Sequence, residues 1–358
     1  FLQTLNHSAF VMVMEDLTVV SYNVHSCVGS DGKYSIDRVS NVLASQHPDI
    51  VCLQEIEVNN TSTELPTQTR VWSHPHRHDQ PAAIAKSLGW EDDAQSGLHS
   101  SFSKMISSVV VNNNNGGWFK SKSERHSYGS SPDGGNTGDF GLAILSRHVI
   151  LQTREFFYTR YGTEIRRNAV ACLVQLPSKA HSKAKSNSRG VWIVNTHFGS
   201  NTGDEQYRQS LELAGFIRTL RGDGGGTTTT PSGVILCGDL NSLPHFRSIQ
   251  TLESVGLRDV WKECGVGYGC TFPAEGLVGP PLPWLCLPPV FRLDYIFTQC
   301  FEDEYEQGED TVVLRPKDIH VVNQSADRGT HEIDLCSSDH LALCATFTFA
   351  IGIKNHIA

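Results

Sequence analysis

Apolar runs rich in Val, Ile, Leu and Cys recur along the chain and stop at polar residues. Eight of them predict strands: Leu17–Tyr22, Ile50–Leu53, Gly141–Leu145, Ala169–Leu176, Val191–Asn195, Val234–Cys237, Leu293–Phe297 and Leu341–Phe349. Such continuous runs suit strands covered on both faces. Between them, helical spacing appears. "SIDRVSNVLASQ" places Ile36, Val39, Val42 and Leu43 on one face. "GDEQYRQSLELAGFIRTLRGDGGG" places Tyr207, Leu211, Ala214, Ile217 and Leu220 on one face and stops at Gly222. Strands alternating with helices predict a layered α/β domain.

The pattern lapses in three places. Residues 91–138, 178–190 and 222–233 are rich in Asn, Ser, Thr and Gly and carry too little apolar surface to order themselves. They are expected to be mobile insertions in one domain spanning 1–358, because no linker divides the rest.

Composition changes this picture little. The 358 residues are 39% hydrophobic and 19% charged, as in a globular protein. No apolar run reaches the roughly 18 residues of a membrane helix, and the opening "FLQTLNHSAFVMVMEDL" does not read as a signal peptide. Cys52, Cys172, Cys237 and Cys344 sit inside apolar runs, and no CxxC pair occurs. Buried, reduced thiols and an intracellular setting, cytoplasmic or nuclear, are therefore expected. Sequons at Asn6, Asn59, Asn60 and Asn323 point the other way. The net charge of −9 argues against general polyanion binding, but Ser146–Gly190 holds nine Lys/Arg against two Glu, about +7 locally. That stretch is either a partner surface or a solvated edge.

The polar residues that end the apolar runs carry the chemistry. "VVSYN" ends in Asn23, "DIVCLQE" in Glu55, "VWIVNTH" in His197 and "VILCGDLN" in Asp239 and Asn241. "RLDYIF" carries Asp294, and "SSDHLALCATF" opens with Asp339 and His340. Each is costly to bury alone, so convergence of the strand ends is the economical account. Several carboxylates in one cleft call for a cation. A donor set without thiolate suits a hard ion, Mg²⁺ first and Mn²⁺ second. Amides and imidazoles then remain for a phosphate and a nucleophile, an inventory suited to metal-assisted phosphoester hydrolysis.

In this order, Asn23, "LQE" (53–55), "NTH" (195–197), "GDLN" (238–241), "LDYIF" (293–297) and "SDH" (338–340) resemble the endonuclease/exonuclease/phosphatase family. The resemblance implies a four-layer sandwich: two mixed β-sheets packed face to face and flanked by helices. It makes Glu55 the main metal ligand, with Asn23 beside it and Asp339 completing the shell. Asp239 would hold the attacking water or a second metal, and Asn241 the scissile phosphate. His340, oriented by Asp294, would act on the nucleophile or the phosphorane, and His197 would donate to the phosphate. Arg167 and Asn168 match a substrate-phosphate contact in some members; a surface edge strand explains Arg167 as well.

Other features stay open. "HPHRHD" (74–79) alternates histidines but reads as a loop. "FPAEGLVGPPLPWLCLPPVF" (272–291), with Trp284, either grips substrate or packs back on the body. The expected function is a monomeric, Mg²⁺-dependent phosphodiesterase acting on DNA or RNA. A phospholipid or small-molecule phosphoesterase is the alternative, and an inactive binding scaffold the remote one.

Overall fold

A computed structural model describes residues 9–30, 32–58, 78–90, 105–108, 139–159, 167–176, 189–200, 203–221, 230–274, 289–301, 312–322 and 337–355. Its strands are β1 (Ala9–Asn23), β2 (Ile50–Val58), β3 (Met105–Ser108), β4 (Asp139–Ser146), β5 (Ile150–Phe157) and β6 (Asn168–Gln175). They continue as β7 (Arg189–His197), β8 (Thr230–Asp239), β9 (Arg258–Asp259), β10 (Asp294–Cys300), β11 (Val312–Val321) and β12 (Leu343–Asn355). The helices are α1 (Ile36–Ala44), α2 (Gln80–Ser87), α3 (Gly203–Arg221), α4 (Arg247–Ser254) and α5 (Val260–Cys264).

The strands form two six-stranded sheets, ordered β11-β12-β1-β2-β4-β3 and β5-β6-β7-β8-β10-β9. Both are mixed: β1 runs parallel to β2, and β7 parallel to β8, while the other pairs are antiparallel. Side-chain alternation then builds the layers. Leu17, Val19, Ile50, Cys52, Val170, Cys172, Ile193, Ile235, Cys237 and Ile296 fill the space between the sheets. The opposite face of the first sheet buries Val20, Tyr22, Val51 and Leu53 against Val39 and Leu43 of α1 and Ile84 of α2. The opposite face of the second sheet buries Trp192, Val194 and Leu236 against Leu213 and Ile217 of α3 and Ile249 and Leu252 of α4. The four-layer sandwich follows, with each buried Leu, Ile or Val contributing about 1.5–3 kcal/mol.

All eight expected strands are present. The turn of α3 differs from its reading: its buried face carries Gln206, Gln209, Leu213, Ile217 and Leu220, while Leu211 is 49% exposed. Polar residues take the inward positions at the start of α3 because they hold the loop before it. Gln209 Oε1 accepts from Gly199 N (2.8 Å), and Gln206 Nε2 donates to Gly199 O (2.8 Å).

Parts of the expected insertions are strand. Met105–Ser108 pairs with β4, Arg189 and Gly190 belong to β7, and Thr230–Gly233 belong to β8. The rest of 91–138, 178–190 and 222–233 lies outside the described residues, as do Trp284, four of the "HPHRHD" positions (74–77) and the sequons. Its His78 is described and stacks on Tyr34 (centroids 5.8 Å apart). Eight cysteines are described, all as free thiols. Among the described residues no helix is long and apolar enough to cross a membrane.

Candidate active site

The inward-facing rows of both sheets end in polar residues at one end of the sandwich. Leu17–Val19–Ser21 leads to Asn23, and Val191–Ile193–Asn195 leads to His197. Ile235–Cys237 leads to Asp239, and Ile296 leads back to Asp294. Val174–Cys172–Val170 leads to Asn168, and the pairing Ala169↔Thr196 sets that residue beside His197. The same two-residue period that fills the core therefore loads the cleft.

Glu55 reaches the cleft differently. Strict alternation from Val51 and Leu53 would point it at the helix layer. The register of β2 against β4 slips between Gln54 and Ile56, and Glu55 adopts φ +54°. It is the extra residue of a bulge, which lets Ile56 rejoin Val51 and Leu53 beneath the helices. Its Oε2 is buried without a protein partner.

Hydrogen bonds join the two sides. Asn23 Nδ2 donates to Glu55 Oε1 (3.3 Å) and Asp239 Oδ2 (3.1 Å). Asp239 Oδ1 accepts from Asn241 N (2.9 Å), in a turn where Asn241 has φ +46°. His340 Nδ1 pairs with Asp294 Oδ2 (2.8 Å), and its Nε2 stands 3.6 Å from Asp239 Oδ2. His197 Nε2 lies 3.4 Å from Asp239 Oδ2 and 4.0 Å from Glu55 Oε1. Asn241 Nδ2 donates to Phe198 O (3.1 Å) and faces His197 Nε2 (3.2 Å). In the tautomer with the proton on Nδ1 that nitrogen accepts from Asn241; in the other it points its N–H toward Asp239 Oδ2.

Electrostatics separates these groups. Burial pushes the Asp239 carboxyl up to about 7, assisted by Asp294 and opposed by His340. Burial alone would lower the His340 pKa, but Asp294 and Asp239 outweigh it and hold the imidazole well above its ordinary range. Burial, then the positive charges of Arg167 and His340, keep His197 well below its ordinary range and neutral. Arg167 is itself lowered by burial, against the attraction of Glu55, Asp239 and Glu205. Arg167 as a whole is half-buried, with its Nε buried, and the strand it precedes, β6, lies inside its sheet and not at an edge.

Several polar atoms in this end of the fold lack protein partners: Glu55 Oε2, Arg167 Nε, both side-chain atoms of Asn168, and Asp294 Oδ1. Asp339 faces His25. Its Oδ1 accepts from Ser338 Oγ (3.3 Å) and lies 3.8 Å from His25 Nδ1. His25, Ser26 and Cys27 all adopt left-handed φ (47°, 55° and 60°), a run costing on the order of 1 kcal/mol per residue. Glu57 accepts from Ser26 Oγ (3.0 Å) and Gln80 Nε2 donates to Ser26 O (2.9 Å), pinning the run.

Sequence reasoning missed several supports. Ser338 Oγ donates to Asn23 O (2.7 Å) and accepts from His340 N (3.2 Å). Thr271 Oγ1 accepts from Asp294 N (3.4 Å), and the Phe272 ring lies 4.9 Å from His340. Ser338 adjoins the "DH" pair and was open to recognition; Thr271 and Phe272 carry no signal of their own.

The buried trio whose ligand atoms lie within 4.8 Å of one another is Asp239, Asp294 and His340. It could hold an ion, but His340 Nδ1 is already engaged with Asp294. Glu55 Oε1 and Asp239 Oδ2 share one amide donor, Asn23 Nδ2, with His197 Nε2 within 4.0 Å of both. Such a set fits a hard cation better.

This fold and this array of carboxylates, amides and imidazoles define a metal-dependent phosphoester hydrolase. The chain belongs to the Endonuclease/Exonuclease/phosphatase family, whose model matches residues 20–340. A Bacteroides thetaiotaomicron protein of that family superposes with TM-score 0.58 at 15% identity, covering 94% of this chain and 96% of its own. A mannosyl-6-phosphatase from Bacteroides thetaiotaomicron gives 0.57 at 15% identity, covering 92% and 99%. The human Nocturnin catalytic domain, with bound sulfate anion, gives 0.50 at 18%, covering 96% and 97%. At these identities the likeness is one of fold. No curated protein matches the chain.

Proposed function

We propose that the protein is a Mg²⁺-dependent phosphodiesterase acting on nucleic acid. The observation that carries the phosphoester reading is the set of partnerless buried atoms facing charges of both signs: Glu55 Oε2 on one side, Arg167 Nε and the Asn168 amide on the other. A cation answers the first and a phosphate the second.

Glu55, Asn23 and Asp239 would hold the ion, with Asp339 completing the shell directly or through water. When bound, Mg²⁺ supplies Lewis acidity at the phosphoryl oxygen and charge stabilisation for the leaving oxygen. Arg167 and Asn168 bind and orient the phosphate, with forked and amide donors. Asn241 must exchange its contact with His197 for the scissile phosphate. Asp239, buried at the end of β8 beside His197 and His340, orients the attacking water. His340, kept protonated by Asp294, donates to a phosphoryl oxygen as charge builds there.

Nucleic acid is supported by an apolar rim next to this machinery. Val290 and Phe291 are 51% and 44% exposed, and the Phe291 N–H donates to Phe272 O (2.9 Å), whose ring meets His340. An exposed aromatic there suits a stacked base. The second reading, a small phosphoester, is favoured by the fate of the basic stretch. Arg147 pairs with Asp49 (3.5 Å), Arg154 covers the Trp192 ring (5.4 Å) and Arg167 is half-buried with its Nε buried. The described cations form no continuous track.

The test is hydrolysis of single-stranded DNA, RNA, bis-p-nitrophenyl phosphate and p-nitrophenyl phosphate, with Mg²⁺ and then EDTA. Cleavage of the diesters that stops in EDTA is expected, with nucleic-acid affinity falling steeply with salt. Turnover of the monoester alone would replace the diesterase reading by the second one.

A further inference from the structure

Beneath the cleft lies a polar layer that the chemistry above does not use. Ser21, Gln54 and Asn195 each sit one inward position below Asn23, the Glu55 bulge and His197, and all are fully buried. Asn195, from the second sheet, reaches across the sandwich. Its Nδ2 donates to Leu53 O (2.8 Å) and Ala143 O (3.0 Å), which belong to paired residues of β2 and β4 in the first sheet. Its Oδ1 accepts from Gln54 Nε2 (2.8 Å), which also donates to Ser21 Oγ (3.3 Å).

These contacts fall on the bulge. Leu53 and Gln54 are the last β2 residues in register before the slip, and Glu55 is the residue the slip throws inward. Most of the described interface between the sheets is apolar, and apolar packing is non-directional. It would let one sheet slide over the other by fractions of an ångström. Asn195 instead makes three directional bonds, two of them to main chain that cannot rotate away. It stands two residues before His197 on the same strand, so the bulge that carries Glu55 is fixed relative to His197.

We propose that Asn195, backed by Gln54, is a positioning residue that locks the Glu55 bulge onto the second sheet and thereby sets the separation of the cation-binding and phosphate-binding sides. This rests on the reading of Glu55 as a metal ligand. Asn195 touches neither ion nor substrate; it acts through the main chain of β2. Its deletion leaves two buried carbonyls short of a donor and frees the bulge to relax, which shows first in metal affinity, as outer partners of metal ligands do.

The experiment measures Mn²⁺ binding to the metal-free full-length chain by electron paramagnetic resonance of the free ion, beside thermal melting and near-ultraviolet circular dichroism. Four variants are compared: Asn195→Asp, Gln54→Leu, Glu55→Gln and Ile193→Val. Ile193 lies one inward position below Asn195, buried and apolar, and controls for general loss of packing. Asn195→Asp keeps volume and the acceptor but turns the donor into a repelling oxygen; a loss of about 10–100-fold in Mn²⁺ affinity is expected. Gln54→Leu, the milder variant if the first fails to fold, removes one bond and should cost about 3–10-fold. Ile193→Val should bind as wild type.

Wild-type Mn²⁺ affinity in a folded Asn195→Asp or Gln54→Leu chain overturns the proposal. So does an equal loss in Ile193→Val, which would make the effect one of stability alone. Wild-type affinity in Glu55→Gln would instead remove the metal role of Glu55, and this inference with it.

Discussion

The two sides of the cleft are built on different principles. From the second sheet come Asp239, Asn241, Asp294 and His197, joined by His340. Asp294 holds His340 at 2.8 Å and Asn241 N closes a turn on Asp239 at 2.9 Å, so each group is aimed by a neighbour. The first sheet offers Asn23 and Glu55, with one oxygen of Glu55 partnerless. On one side the protein supplies partners for its own polar groups; on the other, Glu55 Oε2 is buried without one. Preorganised groups spend no free energy on alignment during reaction, whereas an open carboxylate gives affinity for a cation. Catalytic power should therefore reside mainly on the second-sheet side and metal affinity on the first-sheet side.

The largest expected effect is on the second-sheet side. Asp239→Asn should lower kcat by about 10³-fold or more in a chain of unchanged near-ultraviolet dichroism; turnover within tenfold of wild type would remove Asp239 from the reaction. Asp294→Asn should cost about 10²–10⁴-fold in kcat with little change in KM, because His340 loses both its aim and its partner charge. A pure KM effect would make Asp294 structural.

On the first-sheet side, Glu55→Gln should raise the Mg²⁺ concentration for half-maximal rate by about tenfold or more, with kcat partly restored at saturating metal. EDTA should silence the wild type completely.

Stability gives a smaller and opposite signal. In EDTA, the folded carboxyl of Asp239 titrates at about 7, against roughly 3.9 when unfolded. Between those values the folded chain holds a proton that the unfolded chain has released, so stability falls as pH rises from about 4 to 7. Asp239→Asn should remove that slope and raise Tm at pH 8 by about 2 °C or more. A melt no steeper in pH for wild type than for the variant would contradict the pKa. The smallest effect lies away from both sides: Arg147→Ala, breaking an exposed pair with Asp49, should cost less than about 1 kcal/mol in urea unfolding and leave turnover unchanged.

The legible part of this molecule was its interior. Central strands are covered on both faces, so they read as apolar runs, and their polar ends read as exceptions. The four strands the sequence hid, β3, β5, β9 and β11, are the four sheet edges. Edges are short or polar because unpaired backbone must be protected from other chains; β5 reads ILQTREFF, and β11 carries Pro316 at a register shift. The residues proposed for metal and phosphate were recognisable as residue types, but the aim of Glu55 was not, since a bulge leaves no mark on composition. Gln54 and Asn195 stood inside the "LQE" and "NTH" motifs, but their role was not legible: a buried amide looks like any polar residue until its partners are known.

Gly238 pairs with Thr196 where β8 runs beside β7, and a Cβ there would meet the Thr196 carbonyl oxygen at 2.1 Å. Main chain thus rests directly on main chain one residue before Asp239 and His197. The interval between those two side chains is dictated by peptide dimensions, not by how well nearby hydrocarbon fits. Lineages of this enzyme can accordingly trade core residues freely without detuning that pair, provided this one position never acquires a methyl group.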